Sequence, residues 1–300
     1  MTAERDDSPI KPGEPRRRLG ELLLRLREGT GLNQTDFGVR AGMNQSKVSR
    51  LETARQVPSR AEADAWARAA EATDEVYVQL RTQLEATLTE STNWIEDVRH
   101  EGSAASTRRR IAEDESTSSV VRSFVTLLVP GLLQTAEYTR RQIMLAAALQ
   151  PMLFRDQPAS LVAWAERKLI LHQPGHRFEF VVSEAALRWR PGPDDNPRML
   201  AAQMHHIASL STLESVRFGV IPVQRVQRVP PRGDFIVYGE PGVDEDVHVA
   251  TYTATRELKI RDQAEVAVYL DLWGKLCADA VFGEDARDML RSLAQEFLAE

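Results

Sequence analysis

The chain has 300 residues, 42% of them hydrophobic, a single cysteine and a net charge of −6. That length suits about two folded domains, the lone Cys277 excludes an internal disulfide or a multi-cysteine metal site, and no apolar run approaches the roughly 18 residues that cross a bilayer. The charge is uneven: residues 1–60 hold 12 Lys and Arg against 8 Asp and Glu, while residues 61–300 hold 26 against 36. A basic head suited to phosphate is therefore joined to an acidic body that is not.

In chain order, residues 1–15 are polar, contain three prolines and read as a disordered tail. They lack the apolar core of a signal peptide, so a cytoplasmic protein is expected. Leu19, Leu22, Leu23 and Leu26 then fall on one face of a helix that ends at Gly29 and Gly31. Two short helices lie within "GLNQTDFGVRAGMNQSKVSRLE" (31–52). Ser59 and Glu62 have capping-box spacing before an Ala-rich fourth helix, and Val76, Leu80, Leu84 and Leu88 mark a fifth. Residues 16–90 thus read as an all-α five-helix domain.

Residues 91–300 read as a mixed α+β domain with a small sheet and flanking helices. A polar helix is expected over 93–115, followed by the apolar "VVRSFVTLLVPGLLQT", interrupted by Pro130 and Gly131. Helices follow near 134–149, 158–172 and 196–210. "RFEFVVSE" alternates like a half-buried strand, and "SVRFGVIPV", "GDFIVYG" and "DVHVATYT" are three further strand candidates. Helices near 262–282 and 285–299 close the chain.

Enzyme signatures are absent: there is no phosphate-cradling glycine loop, zincin pattern or nucleophile elbow. His205 and His206 are adjacent and diverge on a helix, while Pro174 and Gly175 break the helix that would align His172 with His176. Cys277 reads as a core residue. No cofactor, metal or catalytic residue is assigned, and the chain is not expected to be an enzyme.

The 31–52 segment carries the chemistry. Leu32, Phe37, Ala41, Met43, Val48 and Leu51 are spaced to face inward, Gly38 is small where a helix must approach, and Gly42 can take a left-handed turn. Two helices on so short a turn form a helix-turn-helix unit. Over roughly residues 16–75 the chain resembles the phage-repressor-like (XRE) helix-turn-helix family, with Gln34 opening the second helix and "NQSKVSRLE" as the recognition helix. Ala54 stands where that family often has glycine. Such a helix presents its N-terminus to base edges, so Gln45, Ser46, Lys47 and Arg50 are candidate base contacts, Gln pairing with adenine and Lys with guanine. Gln34, Ser49 and Arg55 are placed for phosphate, and Arg16, Arg17 and Arg18 can add charge.

"VPGLLQTAEY", "SEAALR", "FGVIP" and "YLDLWGKLCADAVFGEDARDML" resemble the C-terminal domain of the actinobacterial WhiJ-like regulators, over about residues 93–298. The chain departs from that pattern at Lys168-Leu169, where Arg-Gln is usual, and at Thr253. The resemblance implies a transcriptional regulator, commonly paired with a small protein encoded nearby. Two readings of the "PGLLQT" corner stay open. In one, Pro130, Gly131, Gln134, Thr135 and Tyr138, with Glu184 and Arg188, line a ligand pocket or partner groove. In the other, Leu132 and Leu133 enter the core and Thr135 caps the next helix. The expectation is a sequence-specific regulator of double-stranded DNA, acting as a homodimer because one helix reads few base pairs. Its C-terminal domain would sense a protein partner or small molecule. The alternative is an antitoxin-like module that sequesters a partner and autoregulates through its head.

Overall fold

The computed structural model describes residues 14–92, 105–149, 157–192, 194–230 and 233–300. Most of the expected tail, residues 1–13, lies outside them; Glu14 and Pro15 instead open the first helix, where proline's missing N–H costs nothing. Two compact units form. One runs to Glu90 and includes Ile260–Gln263; the other holds Ser91–Lys259 and Ala264–Glu300.

The first unit is built of α1 (Glu14–Gly29), α2 (Gln34–Ala41), α3 (Gln45–Glu52), α4 (Arg60–Ala69) and α5 (Asp74–Leu88). Each helix from α2 to α5 starts on a side-chain cap, Asn33, Asn44, Ser59 and Thr73 in turn, which satisfies an otherwise orphaned N–H. The Ser59–Glu62 capping box is fully formed. Leu19, Leu22, Leu23, Phe37, Val48, Leu51, Leu80 and Leu84 are buried around Trp66. The Trp66 ring lies 4.7 Å from that of Phe37, and its Nε1 donates to the Leu23 carbonyl at 3.2 Å.

The second unit is the expected α+β domain, but its sheet is larger than four strands. The strands are β1 (Thr89–Thr92), whose first two residues belong to the first unit, β2 (Val120–Val125), β3 (Arg177–Ser183), β4 (Val216–Ile221), β5 (Phe235–Tyr238), β6 (His248–Tyr252), β7 (Glu257–Ile260), whose last residue does as well, and β8 (Val281–Phe282). Their order is β1-β7-β6-β5-β2-β3-β4-β8. β2, β3 and β4 run parallel, while β5, β6 and β8 pair antiparallel. The short β7 and β8 give too little alternation to read in sequence. β3 is not half-buried: Phe178 to Val182 are all buried, because a strand between two parallel neighbours is covered on both faces. Gly219 of β4 has a packing reason, since a Cβ there would run into the Phe282 ring of β8.

The helices are α6 (Ala105–Thr117), α7 (Ala136–Leu149), α8 (Gln157–Arg167), α9 (Glu184–Arg188), α10 (Pro197–Leu210), α11 (Gln263–Asp279) and α12 (Gly283–Ala299), with 3-10 turns at Gly131–Leu133 and Lys168–His172. The helix expected over 93–115 falls in part outside the described residues. One core joins Phe178, Phe180 and Val182 of β3 to Met204 and Ile207 of α10 and to Leu290, Leu293 and Phe297 of α12. Among the described residues no helix is long and apolar enough to cross a membrane, and no group of His, Cys, Asp and Glu could hold a metal ion.

Candidate nucleic-acid interface

The turn between α2 and α3 is made by two glycines with different jobs. Gly42 takes φ 71°, the left-handed cap that ends α2. Its N–H returns to the Val39 carbonyl at 3.3 Å and that of Met43 to Gly38 at 2.8 Å. Gly38 admits a close approach: a Cβ there would stand 2.7 Å from the Met43 carbonyl oxygen and 3.4 Å from Val48. Beyond α3, Ala54 adopts φ 56°, so alanine takes the left-handed backbone that glycine would take more easily. The loop folds back, with the Arg55 and Gln56 N–H groups both donating to the Arg50 carbonyl.

A polar chain then fixes how α2 and α3 present their N-termini. The Arg27 guanidinium of α1 pairs with the Glu52 carboxylate at the end of α3, both largely buried, and also donates to the Leu32 carbonyl at 2.9 Å. Gln34 Nε2 donates to Glu52 Oε2 at 2.7 Å, and Gln45 Nε2 donates to Gln34 Oε1 at 2.7 Å. One buried ion pair thus reaches the surface through two glutamines, and the first residues of both helices are set side by side. Neither Arg27 nor Glu52 stands out in sequence, because their 25-residue separation is closed only by the fold.

The other candidate residues lie around this pair. Gln45 and Ser46 are exposed at the start of α3, Lys47, Ser49 and Arg50 are half-buried, and Arg55 is exposed in the following loop. Lys47 is drawn sideways onto Glu62 of α4. Arg50 Nε donates to Gln56 Oε1 at 3.2 Å. Arg17 pairs with Glu21 at 2.5 Å, and Arg16 donates to the Arg55 carbonyl.

The "PGLLQT" corner is internally bonded. The helix that follows starts at Ala136, not at Gln134, so Gln134 and Tyr138 do not share a helix face: Gln134 ends the preceding 3-10 turn. Gln134 is buried, its amide nitrogen donating to the Val129 carbonyl and to Gln142, both at 2.7 Å, and its oxygen accepting from Thr139 at 2.8 Å. Thr135 caps α7 by accepting from the Tyr138 N–H, and its own N–H donates to Gln203. Pro130, Leu132 and Leu133 are buried, and the half-buried Gly131 gives its carbonyl to Trp164 Nε1 at 2.8 Å. Tyr138 is fully enclosed, and burial pushes its phenol up to about 12. Glu184 is buried as well, one oxygen on Arg188 and the other on the Val223 N–H; Arg188 reaches on to Glu296.

Residues 108–292, more than half of the chain, match the family described as Domain of unknown function (DUF5753). The chain belongs to that family. Residues 18–78 match a second description, Helix-turn-helix domain, and cover the pair α2–α3 with its supporting helices. A helix-turn-helix domain is the DNA-binding module of regulators, so the head is a DNA-binding one. No curated protein and no solved structure matches the chain.

Within the DUF5753 region two polar clusters escape sequence reasoning. Lys168 Nζ, over the Trp164 ring, donates to the Gln134 carbonyl at 2.7 Å and lies 2.8 Å from His206 Nε2. Burial lowers Lys168 to about 8; burial and the Lys168 charge together lower His206 to about 4. In the second cluster, Lys259 pairs with Asp114 at 2.7 Å, His248 Nε2 lies 3.5 Å from Asp114, and Tyr252 donates to the fully buried Glu257 at 3.2 Å. Burial alone would raise Asp114, yet His248 and Lys259 hold it below the usual carboxylate range. Residues from α6, β6 and β7 make this cluster, so no local motif signals it.

Proposed function

We propose that the protein is a sequence-specific transcriptional regulator of the phage-repressor-like (XRE) class, which docks α3 in the major groove of duplex DNA as a cytoplasmic homodimer. The observation that carries this reading is the chain Arg27–Glu52–Gln34–Gln45, which holds two glutamine side chains at adjacent helix N-termini, beside the exposed Ser46. In this reading Gln45 and Ser46 face base edges, Arg50 lies alongside, and Gln34, Ser49 and Arg55 face phosphate. Two copies are needed because one short helix covers only a few base pairs, whereas a twofold operator joins two half-sites. The DUF5753 region is the part that receives a signal, from a small protein or a metabolite, as the WhiJ-like resemblance implies; no observation favours the antitoxin-like alternative.

The test is selection of duplexes from a randomised library by the full-length protein. A palindromic consensus is expected. Gln45→Ala should relax one base position, a loss of about 1–3 kcal/mol there, while Arg55→Ala weakens all sequences alike. Identical selections by wild type and Gln45→Ala would remove α3 from the interface.

A further inference from the structure

Lys47 lies in the first turn of α3, beside the exposed Gln45 and Ser46, yet its ammonium is not directed outward. It is paired with Glu62 Oε1 in the first turn of α4, and both side chains are only about a quarter exposed, 23% and 24%. Glu62 cannot drift to follow Lys47, because its other oxygen accepts from the Ser59 N–H at 2.9 Å in the capping box. The Lys47 backbone is fixed as well, since its N–H donates to the Asn44 cap at 2.8 Å. A carboxylate anchored by one helix therefore holds the one lysine of the recognition helix by its charged end.

We propose that Glu62 is a specificity-determining residue that withholds Lys47 from DNA, so that α3 reads bases without a guanine-seeking ammonium. A free lysine at this place would donate to guanine O6 and N7 in the major groove and would add an unneutralised charge toward phosphate. Held by Glu62, it presents its alkyl stem instead, and its charge is cancelled within the head. The inference rests on the DNA-binding reading above and names a residue outside α3 that tunes it.

Selection from a randomised duplex library with the full-length protein tests this, using wild type, Glu62→Gln, Lys47→Met and the double variant. Glutamine keeps an oxygen for the Ser59 N–H, so the capping contact survives. Glu62→Gln is expected to enrich guanine at one position of each half-site by roughly tenfold over wild type, within the range of a single lysine–guanine contact. Its log affinity should also fall more steeply with log salt, by about 0.9. Both gains should vanish in Lys47→Met/Glu62→Gln. Glu62→Ala, run beside it with thermal unfolding as a check on folding, should enrich the same guanine. An unchanged consensus and slope in both Glu62 variants, or a guanine gain that persists without Lys47, overturns the inference while leaving the DNA-binding reading intact. Failure of wild type to select any duplex overturns that reading and the inference with it.

Discussion

Gly38 and Gly42 are four residues apart and both make the turn of the candidate DNA-binding motif, but they resist substitution for different reasons. At Gly42 an added Cβ meets nothing within 4 Å, so Gly42→Ala faces only the left-handed backbone at φ 71°, a cost of about 1–2 kcal/mol. At Gly38 a Cβ meets the backbone oxygen of Met43 at 2.7 Å, and no rotamer relieves that contact. Gly38→Ala should therefore cost more than Gly42→Ala, roughly 3 kcal/mol or above, at the upper end of overpacking penalties. Denaturant unfolding of the two variants checks the order, and equal losses would show that the α2–α3 approach is looser than described. Both roles are legible in sequence. The left-handed Ala54 is signalled only by the resemblance, as an alanine where that family often has glycine, and not by "LETARQ" itself.

At the scale of elements, α1, α2 and α3 are joined by a buried ion pair as well as by their apolar stripes. Glu52→Gln keeps the shape of the side chain but leaves the largely buried Arg27 without its counter-charge, and such a broken pair typically costs about 3–5 kcal/mol. A drop of that order in unfolding free energy is expected, with weaker duplex selectivity because Gln34 and Gln45 lose their anchor; near-wild-type stability would show the pair to be incidental. In the DUF5753 region, the Lys168–His206 pair joins the turn after α8 to α10. His206 titrates near 4 in the folded protein against about 6.5 in an unfolded chain, so between those values the unfolded state binds more protons. Stability from this site is complete above pH 6.5 and is lost as pH falls toward 4. His206→Gln should flatten that part of the stability profile, and an unaltered slope would assign the acid sensitivity elsewhere. Lys168, lowered to about 8, acts the same way at higher pH, its burial cost disappearing as pH rises from about 8 past about 10.

For the whole molecule the net charge of −6 is a poor guide to partners, because residues 1–60 carry the local excess of basic groups. Counterion release depends on the phosphates actually contacted, so the full-length protein should bind duplex DNA with strong salt dependence despite its acidic total. Titrations across a range of salt check this, and a flat dependence would mean that few phosphates are engaged. Arg16 and Arg17 are already bonded within the head, to the Arg55 carbonyl and Glu21. Replacing Arg16, Arg17 and Arg18 together by alanine should therefore reduce the slope by less than three arginines' worth; a full reduction would place all three on phosphate.

Short-range order was legible in the residues. The Ser59–Glu62 capping box, the Leu stripe of α1 and the Gly42 turn each depend on contacts within about one helical turn, so spacing locates five helices and the helix-turn-helix. Exposed, polar positions such as Gln45 and Ser46 followed from the same periodicity. What only the tertiary structure decided depends on contacts between residues far apart in the chain. Burial on both faces of β3 comes from its two parallel neighbours, and the pairing of the short β8 depends on a glycine more than 60 residues away on β4. The partners of Gln134, namely the Val129 carbonyl, Gln142 and Thr139, are likewise set by how the chain turns after β2 and not by spacing. The partner of Lys47 is of the same kind, because no local rule says which carboxylate a lysine will meet. Glu62 stands fifteen residues on, and only the fold, which packs both α3 and α4 against α2, brings the two charges together.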